Sequence, residues 1–408
     1  MILSFRSELR PPKKMDRVED IVIVGAGIAG LATALGLHRK GVKSLVLESY
    51  PSIRTSGYAI GTWTNGWRAL DALGIGDKLR EHHILVERIK VFSPSSGAIL
   101  GEAKLEEIEG KLGKTEIRCV RREFLLETLA QELPKDAIRY SSKVVLIEEE
   151  GDLKLLHLAD GSVIKAKVLI GGDGINSIVG KYLGLKKPSI TGRLAVRGLA
   201  EYPTNHGFKP EFIQINGEGF RFGMSPSTEK SIYWYFGWYS SENDKDESTT
   251  KTVEFIIRKL SNSKVPNEII EVIQKSDMDQ MVSSPLKYRT PFSLLFGNIT
   301  KRNICVIGDA FHPMTPDLGQ GGCIALEDSV ILSRCLSEAV HQGKIEEGLE
   351  KFAKIRRWRC AKVVLIAYIV GFVQQSGNWL VSFLREKVLA GIMAGALLMV
   401  ANYDCGEV

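Results

Sequence analysis

The amino-acid sequence predicts a mixed α/β (α+β) fold in which a largely parallel sheet carries an inserted, mainly antiparallel sheet. Three apolar runs that enter glycine-rich turns near residues 25, 172 and 308 predict the parallel part, because buried parallel strands are typically short, continuous runs of β-branched residues. Between residues 190 and 240 the chain changes to aromatic, strand-like segments, which predict the second sheet.

The first of these turns has the full context of a dinucleotide-binding site. The strand Ile21–Val24 meets Gly25-Ala-Gly27-Ile-Ala-Gly30, a helix follows, and a second strand ends at Glu48. In this arrangement the first glycine makes the turn and the second lets a pyrophosphate approach the backbone. The third packs the helix on the strand, and the acid binds a ribose hydroxyl. A tight packing turn without a ligand is the alternative, and the motif alone does not distinguish NAD from FAD.

The last turn predicts a second receptor for an anion. The strand that begins at Ile304 runs into Gly308-Asp309, two prolines follow, and Gly319–Gly322 precede a helix. Prolines prevent a helix from starting before the glycines, and glycines allow backbone N–H groups to approach a ligand closely. A helix N-terminus at this point offers unpaired donors and a partial positive charge.

Two further positions favour ligand contacts. Gly172-Asp173-Gly174 follows a buried strand. It could form an ordinary turn, but a ligand role for Asp173 is preferred in a chain that already has a dinucleotide motif. Arg121 and Arg122 begin an amphipathic helix, where the helix field disfavours cations, so an anion held by Arg122 explains the pattern better. Two solvated arginines are the alternative, above all for Arg121.

Composition argues against several classes of function. The 408 residues are 44% hydrophobic and 25% charged, with a net charge of +6, and no block of Lys and Arg resembles a nucleic-acid module. A mild positive field favours anionic ligands such as NADPH. Six scattered cysteines without a C-x-x-C pair predict neither a disulfide framework nor a zinc site, and no other metal site is predicted.

Neither end of the chain is predicted to contribute to the ligand site. Residues 1–17 are polar and basic without an apolar segment, which favours a disordered leader over a remnant of an organelle-targeting stretch. The apolar runs 363–373 and 388–401 are shorter than the roughly 18 residues that span a bilayer, so a packed helix pair is preferred to membrane association. The expected location is cytoplasmic, with a plastid as the alternative.

These segments suggest four regions. The insertion is inferred because the strand at Ile304 returns to the dinucleotide-type pattern after the aromatic strands. The predicted regions are a leader (1–18), a discontinuous nucleotide-binding domain (19–185 and 291–360, with 76–114 partly joining the second sheet), an inserted substrate domain (186–290) and C-terminal helices (361–408).

Three motifs in this order carry a resemblance to a known family. They are Gly25-x-Gly27-x-x-Gly30, then Gly172-Asp173-Gly174-x-x-Ser177, then Gly308-Asp309-Ala-x-His312-Pro313 leading to Pro316-x-x-Gly319-Gln-Gly321-Gly322. The chain resembles the single-component, FAD-dependent aromatic hydroxylases of the para-hydroxybenzoate hydroxylase fold group to about residue 360. Within that group it is similar to plant salicylate-hydroxylase-like monooxygenases and, more distantly, to zeaxanthin epoxidase. The resemblance implies a Rossmann-like FAD-binding domain, an inserted antiparallel substrate domain and a C-terminal helical segment.

The resemblance also implies roles for the residues that match the motifs. The first turn would hold the ADP half of noncovalent FAD, Arg122 would contact the cofactor, Asp173 would serve its pyrophosphate and NADPH, and Asp309 would bind the ribityl chain. The loop that leads into the last helix would lie under the isoalloxazine ring. The predicted cofactor-binding residues are Gly25, Gly27, Ile28, Ala29, Gly30, Glu48, Arg122, Asp173, Asp309, Pro316, Gly319, Gln320, Gly321 and Gly322. The predicted substrate-pocket residues are Arg197, Phe222, Met224 and Tyr235.

The implied activity is monooxygenation. NADPH or NADH would reduce the flavin, O2 would give a C4a-hydroperoxyflavin, and one oxygen atom would enter a small aromatic or apolar unsaturated metabolite. The pocket must be dry, because water releases the peroxide unproductively. An isoprenoid epoxidase, a flavin oxidase and a flavin-binding regulator without turnover are the alternatives. No residue demands an acid–base role, so no catalytic base is predicted, and His312 is expected to fix its loop.

Overall fold

A computed structural model describes residues 18–54, 58–110, 113–240, 249–277, 281, 283–375 and 397–408. The predicted leader lies outside these ranges except for Val18, which already belongs to the first strand. The greater part of the apolar run 388–401 also lies outside them. The prediction for the leader, and that for the second helix of the C-terminal pair, therefore lie largely outside the described residues.

The described residues form the following strands and helices. The described strands are β1 (Val18–Val24), β2 (Leu45–Leu47), β3 (Ala59–Thr62), β4 (Arg88–Phe92), β5 (Ile99–Lys104), β6 (Glu109–Gly110), β7 (Gly113–Lys114), β8 (Arg118–Arg121), β9 (Ile138–Arg139), β10 (Val144–Glu150), β11 (Leu153–Leu158), β12 (Val163–Gly171), β13 (Ser189–Glu201), β14 (Glu211–Gly217), β15 (Phe220–Thr228), β16 (Ser231–Tyr239), β17 (Ser284–Tyr288), β18 (Thr300–Lys301) and β19 (Ile304–Val306). The described α-helices are α1 (Ile28–Arg39), α2 (Thr64–Ala72), α3 (Gly76–Arg80), α4 (Arg122–Gln131), α5 (Ile178–Tyr182), α6 (Thr249–Ser261), α7 (Asn267–Gln274), α8 (Pro291–Phe296), α9 (Gly321–Gln342) and α10 (Ile345–Gln375). Short 3-10 turns at Gly308–Ala310 and Pro316–Leu318 separate β19 from α9.

The first sheet is built around β12, which pairs with β1 along one side and with β19 at its C-terminal end. β2 continues the sheet beyond β1, and these four strands all run parallel. β10 and β11 form an antiparallel extension beside the other end of β12. The carboxyl ends of parallel strands meet at one edge of a sheet, so the turns that follow β1, β12 and β19 converge there. This arrangement confirms the predicted mixed α/β class.

Within the described residues, the second sheet has seven strands in the order β17-β13-β16-β15-β14-β4-β5. Its neighbours are antiparallel except for β14 and β4, which are parallel. β4 and β5 precede the insertion in the sequence, and they extend the sheet at one edge. α6 and α7 cover one face of this sheet.

Alternation along the strands gives the second sheet two distinct faces. The even-numbered side chains of β15 and β16, among them Phe222, Met224 and Trp234, form a hydrophobic core with α6 and α7. Phe222 is fully buried and stacks on Trp234 with 6.4 Å between the ring centroids. The structure therefore places Phe222 and Met224, two of the predicted substrate-pocket residues, in this core. Arg197 and Tyr235 lie on the opposite face.

α10 runs without a break through residues 345–375, so the predicted boundary between 360 and 361 falls inside one helix. The helix packs on α9 and carries exposed apolar side chains, Trp358, Leu365, Ile369 and Phe372, on its outer side. Within the described ranges, no helix combines the length and the apolar character that crossing a bilayer requires.

Candidate active site

The predicted glycine turns meet at one edge of the first sheet. Gly25 has a φ of 101°, and a Cβ atom there would lie 2.6 Å from the carbonyl oxygen of Gly172. Gly308 has a φ of 55°, and its Cβ atom would lie 2.8 Å from that of Ala29. Both positions require glycine, since other residues rarely adopt these angles and no space exists for a side chain. Turns that are far apart in the sequence thus form one continuous wall.

α1 and α9 lie side by side and point in the same direction. The hydroxyl of Ser329 donates to the carbonyl of Ala29 at 3.0 Å, and that of Ser333 donates to the carbonyl of Thr33 at 3.2 Å. The two N-termini therefore face the same side, and neither helix has a side-chain hydrogen bond that caps its first turn. Free N–H groups and the positive ends of both helices are presented together, an arrangement suited to an extended anion.

The second and third glycines of the first turn have different surroundings. A Cβ atom at Gly27 would meet no protein atom within 4 Å, so this part of the backbone borders open space. At Gly30 a Cβ atom would lie 1.9 Å from the carbonyl oxygen of Gly25 and 3.4 Å from the side chain of Ile23. Gly27 thus permits close approach of a ligand, whereas Gly30 closes the turn and packs α1 on β1. These surroundings support the roles predicted for the two glycines.

Glu48 follows β2 and is buried against the first turn. Its Oε2 accepts a hydrogen bond from the N–H of Ala26 at 2.8 Å, and its Oε1 accepts from the N–H of Tyr50 and the hydroxyl of Ser49. A carboxylate can accept about four hydrogen bonds, so one acceptor position is left for a ribose hydroxyl. The turn that would bind the cofactor therefore also fixes the orientation of Glu48.

Charges from three elements meet in the cleft between the two sheets. Arg122 begins α4 and donates to the carbonyl of Arg54 at 2.8 Å, and burial, with repulsion from Arg54, lowers the pKa of its guanidinium. Asp309 is exposed to solvent within the cleft. Desolvation by the surrounding protein nevertheless raises the pKa of Asp309, against the attraction of His312, Arg197 and Arg122.

Replacing Asp309 with alanine should lower the FAD content of the purified protein without unfolding it. A hydrogen bond to a charged group contributes about 1.5–3 kcal/mol, so the dissociation constant for FAD should rise roughly 10- to 150-fold. The melting temperature of the apoprotein should stay near that of the wild type, because the side chain is exposed. Flavin absorbance per protein after dialysis measures the effect, with Asp160→Ala, an exposed acid at a distant turn, as the control. Full flavin content in the Asp309 variant would contradict the predicted contact.

Asp173 has a structural role that the sequence motif does not indicate. Its carboxylate accepts hydrogen bonds from the hydroxyl of Ser177 at 2.5 Å and from the N–H of Ile178 at 2.6 Å. It thereby supports Ser177, whose hydroxyl caps α5 by accepting from the N–H of Gly180. Burial raises the pKa of Asp173, while these hydrogen bonds act in the opposite direction. A contact with the pyrophosphate or with NADPH stays a prediction, and it would use only the remaining acceptor capacity of the carboxylate.

A buried ionic network lies behind the N-terminus of α9. Arg356 donates to Asp328 and Glu327, each at 2.7 Å, and all three side chains are fully buried. Asp328 also lies 2.6 Å from the ring of His312 and accepts from the N–H of Gly308 at 2.9 Å. Burial alone lowers the pKa of His312, but the attraction of Asp328 outweighs it and raises this pKa well above its ordinary value. These contacts confirm that His312 fixes its loop.

The side chain of Gln320 is directed into this network rather than into the cleft. Its Oε1 accepts from the amide of Asn65 at 2.9 Å, and the same amide donates to Glu327 at 2.6 Å. Gln320 is fully buried. Its contribution at the start of α9 therefore comes from the backbone, as it does for the glycines on either side.

His83 fixes the segment that leads into α4. Its Nδ1 lies 2.7 Å from the carbonyl oxygen of Leu79, and its Nε2 accepts from the N–H of Arg121 at 3.0 Å. Both hydrogen bonds require the neutral ring with its proton on Nδ1. Burial lowers the pKa of His83, and the charges of Arg121 and Arg118 act in the same direction. A histidine without a motif thus helps to place the start of the helix that carries Arg122.

The free energy of unfolding should therefore fall as the pH drops below about 6.5, the ordinary pKa of histidine. In this range the unfolded chain binds a proton on His83 that the folded protein does not yet bind, so acid favours the unfolded state by up to about 1.4 kcal/mol per pH unit. Denaturant titrations of the apoprotein on both sides of this pH measure the loss. His83→Gln should show a smaller loss, and the exposed neighbour His82→Gln should match the wild type. Equal losses in all three proteins would refute the assignment.

The cleft-facing side of the second sheet supplies polar and aromatic groups. The guanidinium of Arg221 lies 5.3 Å from the centroid of the Tyr235 ring. Burial raises the pKa of Tyr233 and of Tyr235, while Arg197 and Arg221, respectively, act in the opposite direction. Arg197 and Tyr235 thus lie on the side where a substrate would meet the flavin, and their contact with a substrate stays a prediction.

Several buried polar atoms on segments that border the cleft have no hydrogen-bond partner within the described residues. Among them are the hydroxyl oxygens of Tyr58, Thr62, Tyr235 and Thr315. Buried polar atoms are nearly always satisfied, so a polar ligand is expected beside them. Together with two uncapped helix N-termini and the open space at Gly27, these atoms fit a long cofactor that has a pyrophosphate and a polar ring system, as FAD does.

Comparison with known proteins tests this interpretation. The sequence profile of a family described as an FAD binding domain matches residues 19–367. Monooxygenase 2 of Arabidopsis thaliana is 46% identical over 404 residues, which cover 95% of this chain and 98% of the relative. The chain belongs to this family of FAD-dependent monooxygenases. Monooxygenase 1 of the same plant is 35% identical over 400 residues, again with 95% and 98% coverage.

A solved structure shows the fold of the family. Klebsiella pneumoniae HpxO in complex with FAD and uric acid superposes with a TM-score of 0.81, covering 94% of this chain and 96% of that chain at 23% identity. This likeness confirms the predicted architecture, in which a Rossmann-like FAD-binding domain carries an inserted sheet. The family membership and the geometry agree on FAD as the cofactor.

Sequence reasoning missed the residues that join the two sheets. Asp317 lies inside the predicted loop, but the motif gives it no role, and Arg193 shares a strand face with Arg197. The alternation of side chains along a strand could have identified these residues, because it places Arg193, Arg197 and Arg221 on the cleft side of their strands. The aromatic content of β16 hides this period, because both of its faces are apolar.

Proposed function

We propose that the protein is a single-component, NAD(P)H-driven monooxygenase that transfers one oxygen atom from O2 to a small aromatic or apolar unsaturated metabolite. Bound FAD supplies the redox chemistry, with the C4a-hydroperoxyflavin route as part of the proposal. The observation that carries it is the cleft in which the second sheet presents Arg197 and Tyr235 on the side of Asp309 and the α9 N-terminus. A protein that only stored flavin would not need Arg197 and Tyr235 on this face.

Each part of the cleft has a task in this proposal. The first turn and Glu48 hold the adenylate end, while Arg122 and Asp309 orient the middle of the cofactor. The N-terminus of α9 stabilises negative charge on the reduced ring by about 0.3–1 kcal/mol, and by up to ~2 kcal/mol where it is partly buried. Since about 1.4 kcal/mol corresponds to one pKa unit, this contribution favours the anionic form. The aromatic strands exclude water from the reacting atoms.

A ring-shaped substrate with polar substituents fits the groups on the cleft face. HpxO was solved in complex with uric acid, which is a planar ring compound with several hydrogen-bonding groups. Arg197 offers donors and a positive charge, and the Tyr235 hydroxyl offers a donor and an acceptor. An aromatic molecule that bears an oxygen or nitrogen substituent is therefore preferred to a hydrocarbon as the first class to test.

The deciding experiment measures turnover of the FAD-loaded protein under oxygen-18. Phenols, benzoates, purines and isoprenoids are offered with NADPH or NADH. At least one ring compound should accelerate NAD(P)H oxidation and gain a single oxygen-18 atom, with product formation close to NAD(P)H consumption. Tyr235→Phe should raise the KM for that compound, whereas Tyr202→Phe, which directly follows β13 and lies beside Lys275, should not. If no compound accelerates NAD(P)H oxidation and all O2 appears as peroxide, an oxidase or a regulator is favoured instead.

A further inference from the structure

The segment between Asp309 and α9 is held by buried arginines from the second sheet. Arg289 directly follows β17, and its Nη1 donates to the carbonyl oxygens of Ala310 and Phe311, both at 2.7 Å. Its backbone N–H also donates to the carbonyl of Pro313 at 2.9 Å. Arg289 is only 4% exposed. This contact fixes the chain immediately after the residue that is predicted to bind the ribityl chain.

Arg193 and Arg221 hold the other end of the same segment through Asp317. Arg193 forms two parallel hydrogen bonds with the Asp317 carboxylate, at 3.0 and 2.9 Å. Arg221 donates to the backbone carbonyl of Asp317 at 2.9 Å and to its carboxylate at 3.4 Å. The side chains of all three residues are at most 7% exposed. Asp317 lies two residues before Gly319, so this contact fixes the entrance to α9.

α10 leaves no space for the ion pair to move. A Cβ atom at Gly371 would lie 2.1 Å from Oδ2 of Asp317 and 2.5 Å from Nη1 of Arg193. The carboxylate is thus enclosed by two guanidinium groups and by the backbone of a helix. Bidentate pairs between arginine and a carboxylate are directional as well as strong, so they define the position of the loop and do not merely attract it.

We propose that Arg193, Arg221 and Arg289, here named the arginine clamp, are positioning residues for the flavin. They hold Ala310–Asp317 in the shape that presents Asp309 and the N-terminus of α9 to the cofactor, and they thereby couple the second sheet to FAD binding. None of them has to touch the flavin or the substrate. The expected effect of the clamp on FAD binding requires only that the protein binds FAD, as its family does. Any consequence for turnover rests on the proposed function.

Coupling between sites is reciprocal. If the clamp links the second sheet to the cofactor, FAD must stabilise the strands that carry the clamp, among them β13 and the end of β17, although the predicted FAD contacts lie on other elements. Backbone hydrogen exchange of these strands, with and without FAD, therefore reports the coupling without any substrate or turnover. A residue that only supports the local fold would not change this difference.

Three variants test the clamp by different routes. Asp317→Asn keeps the shape of the side chain and removes its charge, Arg289→Lys keeps the charge and loses the two-carbonyl geometry, and Gly371→Ala alters no polar group. The matched control is Arg357→Lys, because Arg357 also donates to several backbone carbonyls, at 3.2, 3.1 and 2.6 Å, but at the end of α8. Isothermal titration with FAD, the visible spectrum and fluorescence of the bound flavin, and hydrogen exchange are measured for each protein.

We expect the dissociation constant for FAD to rise roughly 2- to 30-fold in the three clamp variants, the range that changes of coupling typically produce. The bound flavin should become more fluorescent, and the protection of β13 and β17 by FAD should be lost. Arg357→Lys should behave as the wild type in all three measurements.

Wild-type FAD affinity and protection in Asp317→Asn and Gly371→Ala would overturn the inference. Weaker FAD binding with unchanged protection of β13 and β17 would overturn it as well, since it would show a local defect without coupling. If one variant fails to fold, the other two still decide. Failure to find a turned-over substrate would count against the proposed function alone, because none of these measurements needs one.

Discussion

Replacing Gly27 with alanine should abolish tight FAD binding and leave the apoprotein as stable as the wild type, whereas the same change at Gly30 should destabilise the fold. A methyl group on Gly27 would meet no protein atom within 4 Å, but it would occupy the space through which a pyrophosphate reaches the backbone. A methyl group on Gly30 would lie 1.9 Å from the carbonyl oxygen of Gly25. The turn must then shift, at a cost of about 1–3 kcal/mol or more.

Thermal melts of the apoproteins and titration with FAD separate the two effects. Gly27→Ala should keep its melting temperature and bind FAD at least about 100-fold more weakly, a loss of ~2.7 kcal/mol. Gly30→Ala should melt several degrees lower. Gly101→Ala is the matched control, because a methyl group on this exposed strand residue would also meet nothing within 4 Å. Tight FAD binding by Gly27→Ala would mean that the cofactor does not approach the first turn.

Replacing Arg356 with methionine should lower the free energy of unfolding by about 3–5 kcal/mol, the usual cost of breaking a buried ion pair by removing one partner. The change leaves the carboxylates of Asp328 and Glu327 buried without their shared guanidinium. His312 and Gly308 depend on the same Asp328, so the loop before α9 should loosen as well.

Urea denaturation of the apoprotein measures this loss. Lys351→Met on the same helix is the control, because Lys351 pairs with Glu338 at 2.9 Å on the surface, where both side chains are more than half exposed. Exposed pairs contribute about 0–1 kcal/mol, so the control should unfold close to the wild-type urea concentration. Equal midpoints for the two variants would show that the buried network adds no more than a surface pair does.

Much of the cofactor site can be predicted from the sequence because its parts are local. A glycine-rich turn between a strand and a helix is determined by adjacent residues, as at Gly25–Gly30 and at Gly319–Gly322. Parallel strands then bring such turns to one edge without further information. The start of α4 at Arg122 also follows from local pattern, since an amphipathic period begins there.

The parts that the sequence does not predict depend on contacts between distant segments. Phe222 and Met224 lie on an apolar strand of the second sheet. The packing of α6 and α7 decides which face of this strand is buried in the core. The partners of Asp317 come from β13 and β15, and the space around it is limited by Gly371 of α10. No local sequence pattern specifies these long-range contacts, because the sequence does not distinguish a buried arginine from one on the surface.

The parallel packing of α1 and α9 has a consequence for the life of the protein in a cell. Two like-charged helix ends held together repel each other, and a bound diphosphate would reduce this repulsion. A ligand that binds the native state shifts the balance against unfolding in proportion to its free concentration. Chains made while flavin is scarce should therefore be cleared by proteolysis sooner, so that supply of the vitamin sets the standing amount of enzyme.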